Sequence, residues 1–75
     1  MEKEFNEKRK EILNSLERGD KMKIAKMAKC TYPSVRSAFK KEYAEITDFD
    51  IHIIKCASRF IKRKEAKKRA KIERI

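Results

Sequence analysis

Cations carry the chemistry of this sequence. Lys23, Lys26, Lys29, Arg36, Lys40 and Lys41 fall within residues 19–41, a stretch with seven bases and one acid. Ammonium and guanidinium groups bind oxyanions, and a guanidinium can also meet two acceptors lying in one plane. Thr31, Tyr32, Pro33 and Ser37 stand among these cations and add hydroxyls and a ring. Other chemistries lack their residues. His52 is the single histidine, so no Ser/His/Asp or Cys/His arrangement can be built on it, and the carboxylates are scattered or fit capping roles. Cys30 and Cys56 form no CxxC, and His52 is not spaced as a partner ligand. Their expected role is as small buried hydrophobes, with a disulfide or metal role as the alternative. Gly19 alone cannot form a phosphate loop. We expect no enzyme, no metal and no cofactor.

The net charge of +10 points to a polyanion: DNA, RNA or an acidic membrane surface. Its distribution is uneven. Residues 1–18 balance, residues 19–41 carry +6, residues 42–60 carry −2 and residues 61–75 carry +6. The chain of 75 residues is long enough for one domain. A domain this small buries only about 60 % of its unfolded surface. One Gly and one Pro are too few for the turns of an all-β fold. The expected fold class is therefore all-α, a small bundle of four helices with a long basic C-terminal helix. No apolar run approaches the ~18 residues of a membrane span, and no apolar stretch follows the basic N-terminus. We expect no membrane partner and a cytoplasmic, nucleoid-associated location.

Helical spacing supplies the elements. Phe5, Ile12, Leu13 and Leu16 share one face of a first helix from about Glu4 to Leu16. Gly19 suits the left-handed stop after it. Asp20 is a good N-cap for a second, short helix with Ile24, Ala25 and Ala28 inward and Lys23 and Lys26 outward. Lys29, Cys30 and Thr31 connect it to a third helix, capped by Thr31 and starting at Tyr32 and Pro33. Val35, Ala38 and Phe39 are its inner face. Pro33, Arg36, Ser37 and Lys40 point roughly the other way, with Tyr32 and Lys41 beside them. A loop from Glu42 to Ile46 leads to a fourth helix. Thr47 and Asp50 make its capping box, and Ile46 and Ile51 its hydrophobic staple. Phe49, Ile53, Cys56, Ala57 and Phe60 form its core-facing stripe. Beyond Phe60 the chain can stay helical but has little apolar surface to bury, so fraying or disorder is the alternative.

The segment from Lys21 to Lys40 resembles the helix-turn-helix of Cro-like and repressor-like DNA-binding proteins. Ile24 and Ala25 stand where that family has an aliphatic residue followed by Ala. Ala28 packs the end of the first motif helix, Cys30 takes the apolar place in the turn, Thr31 the Ser/Thr cap and Val35 the Val. Ala38 and Phe39 close the inner face. Lys29 departs from the family's usual Gly, so it is either strained or in a different turn; Ser34 replaces the usual Thr. The resemblance implies a motif over about residues 20–40 within a domain spanning 1–61, and a recognition helix over about 32–41. It implies double-stranded DNA as partner, with base contacts from Tyr32, Pro33, Arg36 and Ser37. Phosphate contacts would come from Lys23, Lys26, Lys29, Thr31, Lys40 and Lys41. It also implies a small regulator of transcription, in the style of a phage or mobile element.

Alternatives stay open. Lys40 and Lys41 also suit a solvated helix end, and Tyr32 a half-buried packing ring. A basic RNA-binding protein shares the charge, as does a helical protein–protein interaction module; only Tyr32 and Tyr43 offer exposed rings for stacking on bases. Ile51, Ile54, Ser58 and Ile61 fall at heptad positions and suggest a homodimer seam, continuing towards Ile72 and Ile75. The alternative is that they widen the core stripe. Residues 62–75 are expected to be a basic extension, either gripping phosphates, binding an acidic protein or solvated.

Overall fold

Side-chain caps set the starts of two helices in the computed structural model, which describes residues 1–74. Helices α1 (Glu2–Ser15), α2 (Asp20–Ala28), α3 (Tyr32–Lys40) and α4 (Asp48–Glu73) follow one another, with a short 3-10 turn at Tyr43–Glu45. Thr31 caps α3 by accepting the Ser34 N–H at 3.4 Å. Thr47 caps α4 with a reciprocal box: its hydroxyl accepts the Asp50 N–H at 3.2 Å, and the Asp50 carboxylate accepts the Thr47 N–H at 2.9 Å. Among the described residues every regular element is helical, as the scarcity of turn residues implied.

Three boundaries differ from expectation, the first being the start of α1, at Glu2 and not near Glu4. The first helix ends at Ser15, and Leu16 turns extended. Gly19 is indeed left-handed, at φ 89°, but it serves as the N-cap of α2 rather than as a stop for α1. Asp20 consequently lies inside α2 and does not cap it; its carboxylate turns back to accept the Glu17 N–H at 2.8 Å. That bond closes the bend between the two helices and takes the place of a side-chain cap.

The core lies where α2, α3 and α4 meet. Ile24, Val35 and Ile53 are fully buried, one from each helix. Small residues line the crossings: Ala25 and Ala28 on α2, Ala38 on α3 and Ala57 on α4. Their lack of bulk lets the backbones approach closely. Helix α1 lies across α3 and α4 and adds Ile12 to the core, with Phe5, Leu13 and Leu16 half-buried against it.

The apolar stripe of α4 needs two corrections. Phe49 is 48 % exposed, because on the flank of the first turn its ring stacks on His52 instead of facing inward. Ile54, placed in a homodimer seam, is only 5 % exposed and belongs to the core, while Ile61 packs against it and Ile51 is half-buried. Of the seam residues, Ile54 and Ile61 thus widen the core stripe, while Ile51 and Ser58 lie at its edge. Of its far end, Ile72 is exposed, and Ile75 lies outside the described residues. The basic segment after Phe60 continues α4 as far as Glu73, and residues 65–74 are exposed throughout. No helix among the described residues is long and apolar enough to cross a membrane.

Candidate nucleic-acid interface

Helix α3 is fixed by its inner face and by both of its ends. Val35 and Ala38 are fully buried and Phe39 is nearly so, which leaves the opposite side facing outward. The turn before it is tight. The Cys30 N–H donates to the Ala25 carbonyl at 2.9 Å and the Lys29 N–H to the Lys26 carbonyl at 3.3 Å. This is the paired pattern of a Schellman stop, which places Lys29 in the left-handed region at φ 57°, ψ 47°. A non-glycine residue is strained there by roughly 1–2 kcal/mol. Of the two readings of Lys29, the strained one holds. Cys30 sits half-buried behind the turn, and burial, with Cys56 nearby, pushes its thiol pKa upward. Both sulfurs are free thiols.

The outer side of α3 carries the candidate base-reading residues. Arg36 is exposed, and its guanidinium lies 5.9 Å from the centre of the Tyr32 ring, one turn earlier. Among the described residues no carboxylate pairs with Arg36. Tyr32 is itself 37 % exposed, so its ring supports Arg36 and does not fill the core. Pro33 is exposed in the first turn, and Ser37 is half-buried. Thr31 is exposed, but its hydroxyl is already occupied by Ser34, 3.0 Å from Oγ.

The proposed phosphate-binding cations divide into two kinds. Lys23, Lys26, Lys29 and Lys40 are exposed and in no ion pair among the described residues. Lys41 is different. Its ammonium donates to the buried Asp50 carboxylate at 2.9 Å and ties the end of α3 to the start of α4. A phosphate role for Lys41 gives way to this pairing. Burial raises the pKa of Asp50, but the Thr47 N–H and the Lys41 ammonium outweigh it and hold the carboxyl below its usual range.

The basic end of α4 lies against α2 and the bend before it. Lys64 donates to the buried Asp20 carboxylate at 2.9 Å and pairs with Glu17 at 3.1 Å. Burial raises the Asp20 pKa, and the Glu17 N–H and Lys64 outweigh it in the same way. The hydrogen bond to Asp20, followed by that to Glu17, raises the Lys64 pKa. This anchor sets Arg63 and Lys67 beside Lys23 along a groove between α2 and α4. The two positive blocks of the sequence are therefore neighbours in space, which their separation by an acidic stretch concealed.

Arg9 was hidden among the charges of α1. It is buried, and one amino group donates to the Ala38 carbonyl at 3.0 Å and the Lys41 carbonyl at 2.8 Å. Asn6 accepts from the other amino group, and the guanidinium lies 5.0 Å from the centre of the Phe5 ring. These bonds satisfy the orphan carbonyls at the end of α3. The available signal was slight: an arginine among lysines, where a forked donor suits two carbonyls better than an ammonium does. Among known families, characterised proteins and solved structures, none matches this chain.

Proposed function

We propose that the chain binds double-stranded DNA through a helix-turn-helix formed by α2 and α3, and that it acts as a small, repressor-like regulator of transcription. One observation carries the reading. Arg36 stands free on the outer side of α3 while Val35 and Phe39, on the same helix, are buried. A rigid amphipathic helix with a free guanidinium over a tyrosine ring is suited to the major groove. There Arg36 meets O6 and N7 of a guanine, and Tyr32 and Pro33 lie against a thymine methyl. Ser37 adds a hydroxyl deeper on the helix. Lys23, Lys26, Lys29 and Lys40 flank this edge as phosphate contacts, with Thr31 at the helix start. Arg63, Lys67 and the cations after them extend the grip along the backbone without reading sequence.

Selection of bound duplexes from a random library tests this. The expected result is a consensus containing a guanine whose preference disappears in Arg36→Ala. One motif reads only a few base pairs, so a palindromic consensus would reveal two copies side by side. A flat library, with equal affinity for duplex RNA or single strands across a salt series, would refute the reading. It would favour the basic RNA-binding alternative.

A further inference from the structure

We propose that the groove between α1 and α4 binds a short acidic amphipathic helix of a partner protein, a function separate from anything α3 does. Phe5, Ile12, Ile51 and Ile54 form its floor. Ile12 and Ile54 are almost closed off, whereas Phe5 and Ile51 are only half-buried and remain within reach of an inserted side chain. Lys8, Lys55, Arg59 and Lys62 surround that floor, all exposed, and none forms an ion pair among the described residues. From Ile51 to Lys62 the groove runs about 16 Å along α4, or three turns of a docked helix. Further along the same seam Glu11 and Glu65 appear beside Ser15 and Ile61 and close the cationic stretch to an anionic partner.

An apolar floor inside a ring of unpaired cations favours one kind of occupant. Leucine-like side chains at helical spacing fill the floor, and flanking carboxylates meet the rim. A nucleic-acid backbone would satisfy the rim and leave the floor wet. A second copy of this chain, docked groove to groove, would set Lys8, Lys55, Arg59 and Lys62 against their own kind. The groove also lies roughly opposite Phe60 on α4, the side that meets α2. It is therefore open while α2 and α3 are engaged elsewhere.

The test uses a labelled peptide of about four helical turns, with Leu on one face and Glu and Gln on the other. A scrambled peptide of the same composition is the control. The amphipathic peptide is expected to bind at least about tenfold tighter than the scrambled one. Its amide-shift map should centre on α1 and α4, and Lys55→Glu with Arg59→Glu should lower affinity by at least about tenfold. Lys8→Glu with Lys62→Glu provides a second pair of variants should the first misfold. Equal binding of the scrambled peptide, or no peptide binding, overturns the proposal. So does a duplex-DNA shift map centred on this groove, or binding of phosphatidylglycerol vesicles there in place of the peptide.

Discussion

At the C-terminal end of α3 two cations, Arg9 and Lys41, are held by the fold, and only Lys40 stands free. Arg9 holds the Ala38 and Lys41 carbonyls, and Lys41 holds the buried Asp50. At the N-terminal end the side chains are open: Tyr32, Pro33 and Arg36 face solvent, and the lysines of α2 beside them have no ion partner among the described residues. The same kinds of residue do two different jobs around the two ends of one nine-residue helix. A cation bonded to buried oxygen fixes where the helix lies and is unavailable to a ligand. A cation in water fixes nothing and is ready to exchange its counterions for phosphates. Position in the fold, not residue type, separates the two.

The largest effect is expected at the enclosed end. Asp50→Ala removes half of the α4 capping box and leaves Lys41 unpaired, so it should destabilise the fold by roughly 3 kcal/mol. Lys41→Met should destabilise less, about 1–2 kcal/mol, because Thr47 still bonds the carboxylate and the lysine is partly exposed. Urea unfolding measures both through the shift in midpoint at unchanged slope. An Asp50→Ala protein as stable as the parent would break the distinction between the two ends. Acid should act at the same points. The Asp20 and Asp50 pKa values lie below the ordinary 3.8 in the folded chain, so their stabilisation is present above that pH and is lost as pH falls through the lower folded values. Asp20→Asn combined with Asp50→Asn should flatten stability against pH in that acid window. An unchanged acid limb would mean the two carboxylates are not what unfolds.

At the open end the effect should move from stability to binding. Arg36→Ala should weaken binding to the selected site by about 1–3 kcal/mol and relax one base preference. Its unfolding midpoint should stay within the ±0.5 kcal/mol or so typical of surface changes. Unaltered preference would remove Arg36 from the reading set. Lys26→Ala should weaken every sequence alike and lower the salt slope by about one. Truncation after Lys64 should lower that slope further while sparing the Lys64–Asp20 pair. A shorter chain that also lost Lys64 would confuse loss of grip with loss of fold.

What could be read from the sequence follows the same division. Thr31, Thr47 and Asp50 act on backbone a few residues away, so spacing alone placed the starts of α3 and α4. The inner face of α3 was legible because Val35, Ala38 and Phe39 repeat at the helical period. Arg9, Lys41 and Lys64 were not, since the carbonyls that Arg9 holds lie 29 or more residues away, Asp50 lies 9 from Lys41 and Asp20 lies 44 from Lys64. Nothing local distinguishes an enclosed lysine from a solvated one. Asp20 shows how a local rule can fail: its type suits a cap, but Gly19 already enters α2 through a left-handed turn, which frees the carboxylate for Glu17 and Lys64.

Lys29 belongs to neither group, and it offers the smallest but most pointed measurement. Its backbone is strained as though it were structural, while its side chain is exposed as though it were functional. Glycine would fit the φ of 57° without steric penalty. Lys29→Gly should therefore stabilise the fold, by about 1 kcal/mol at most, since glycine also gives the unfolded chain more freedom. If the ammonium contacts a phosphate, the same variant should lower affinity for all duplexes and reduce the salt slope by about one. Opposite changes in stability and binding would show that strain is retained here for the sake of a cation at the turn. A variant that is more stable and binds as before would make Lys29 a tolerated departure with no part in the interface. The lysines of α2 that touch DNA would then be only those on its regular turns.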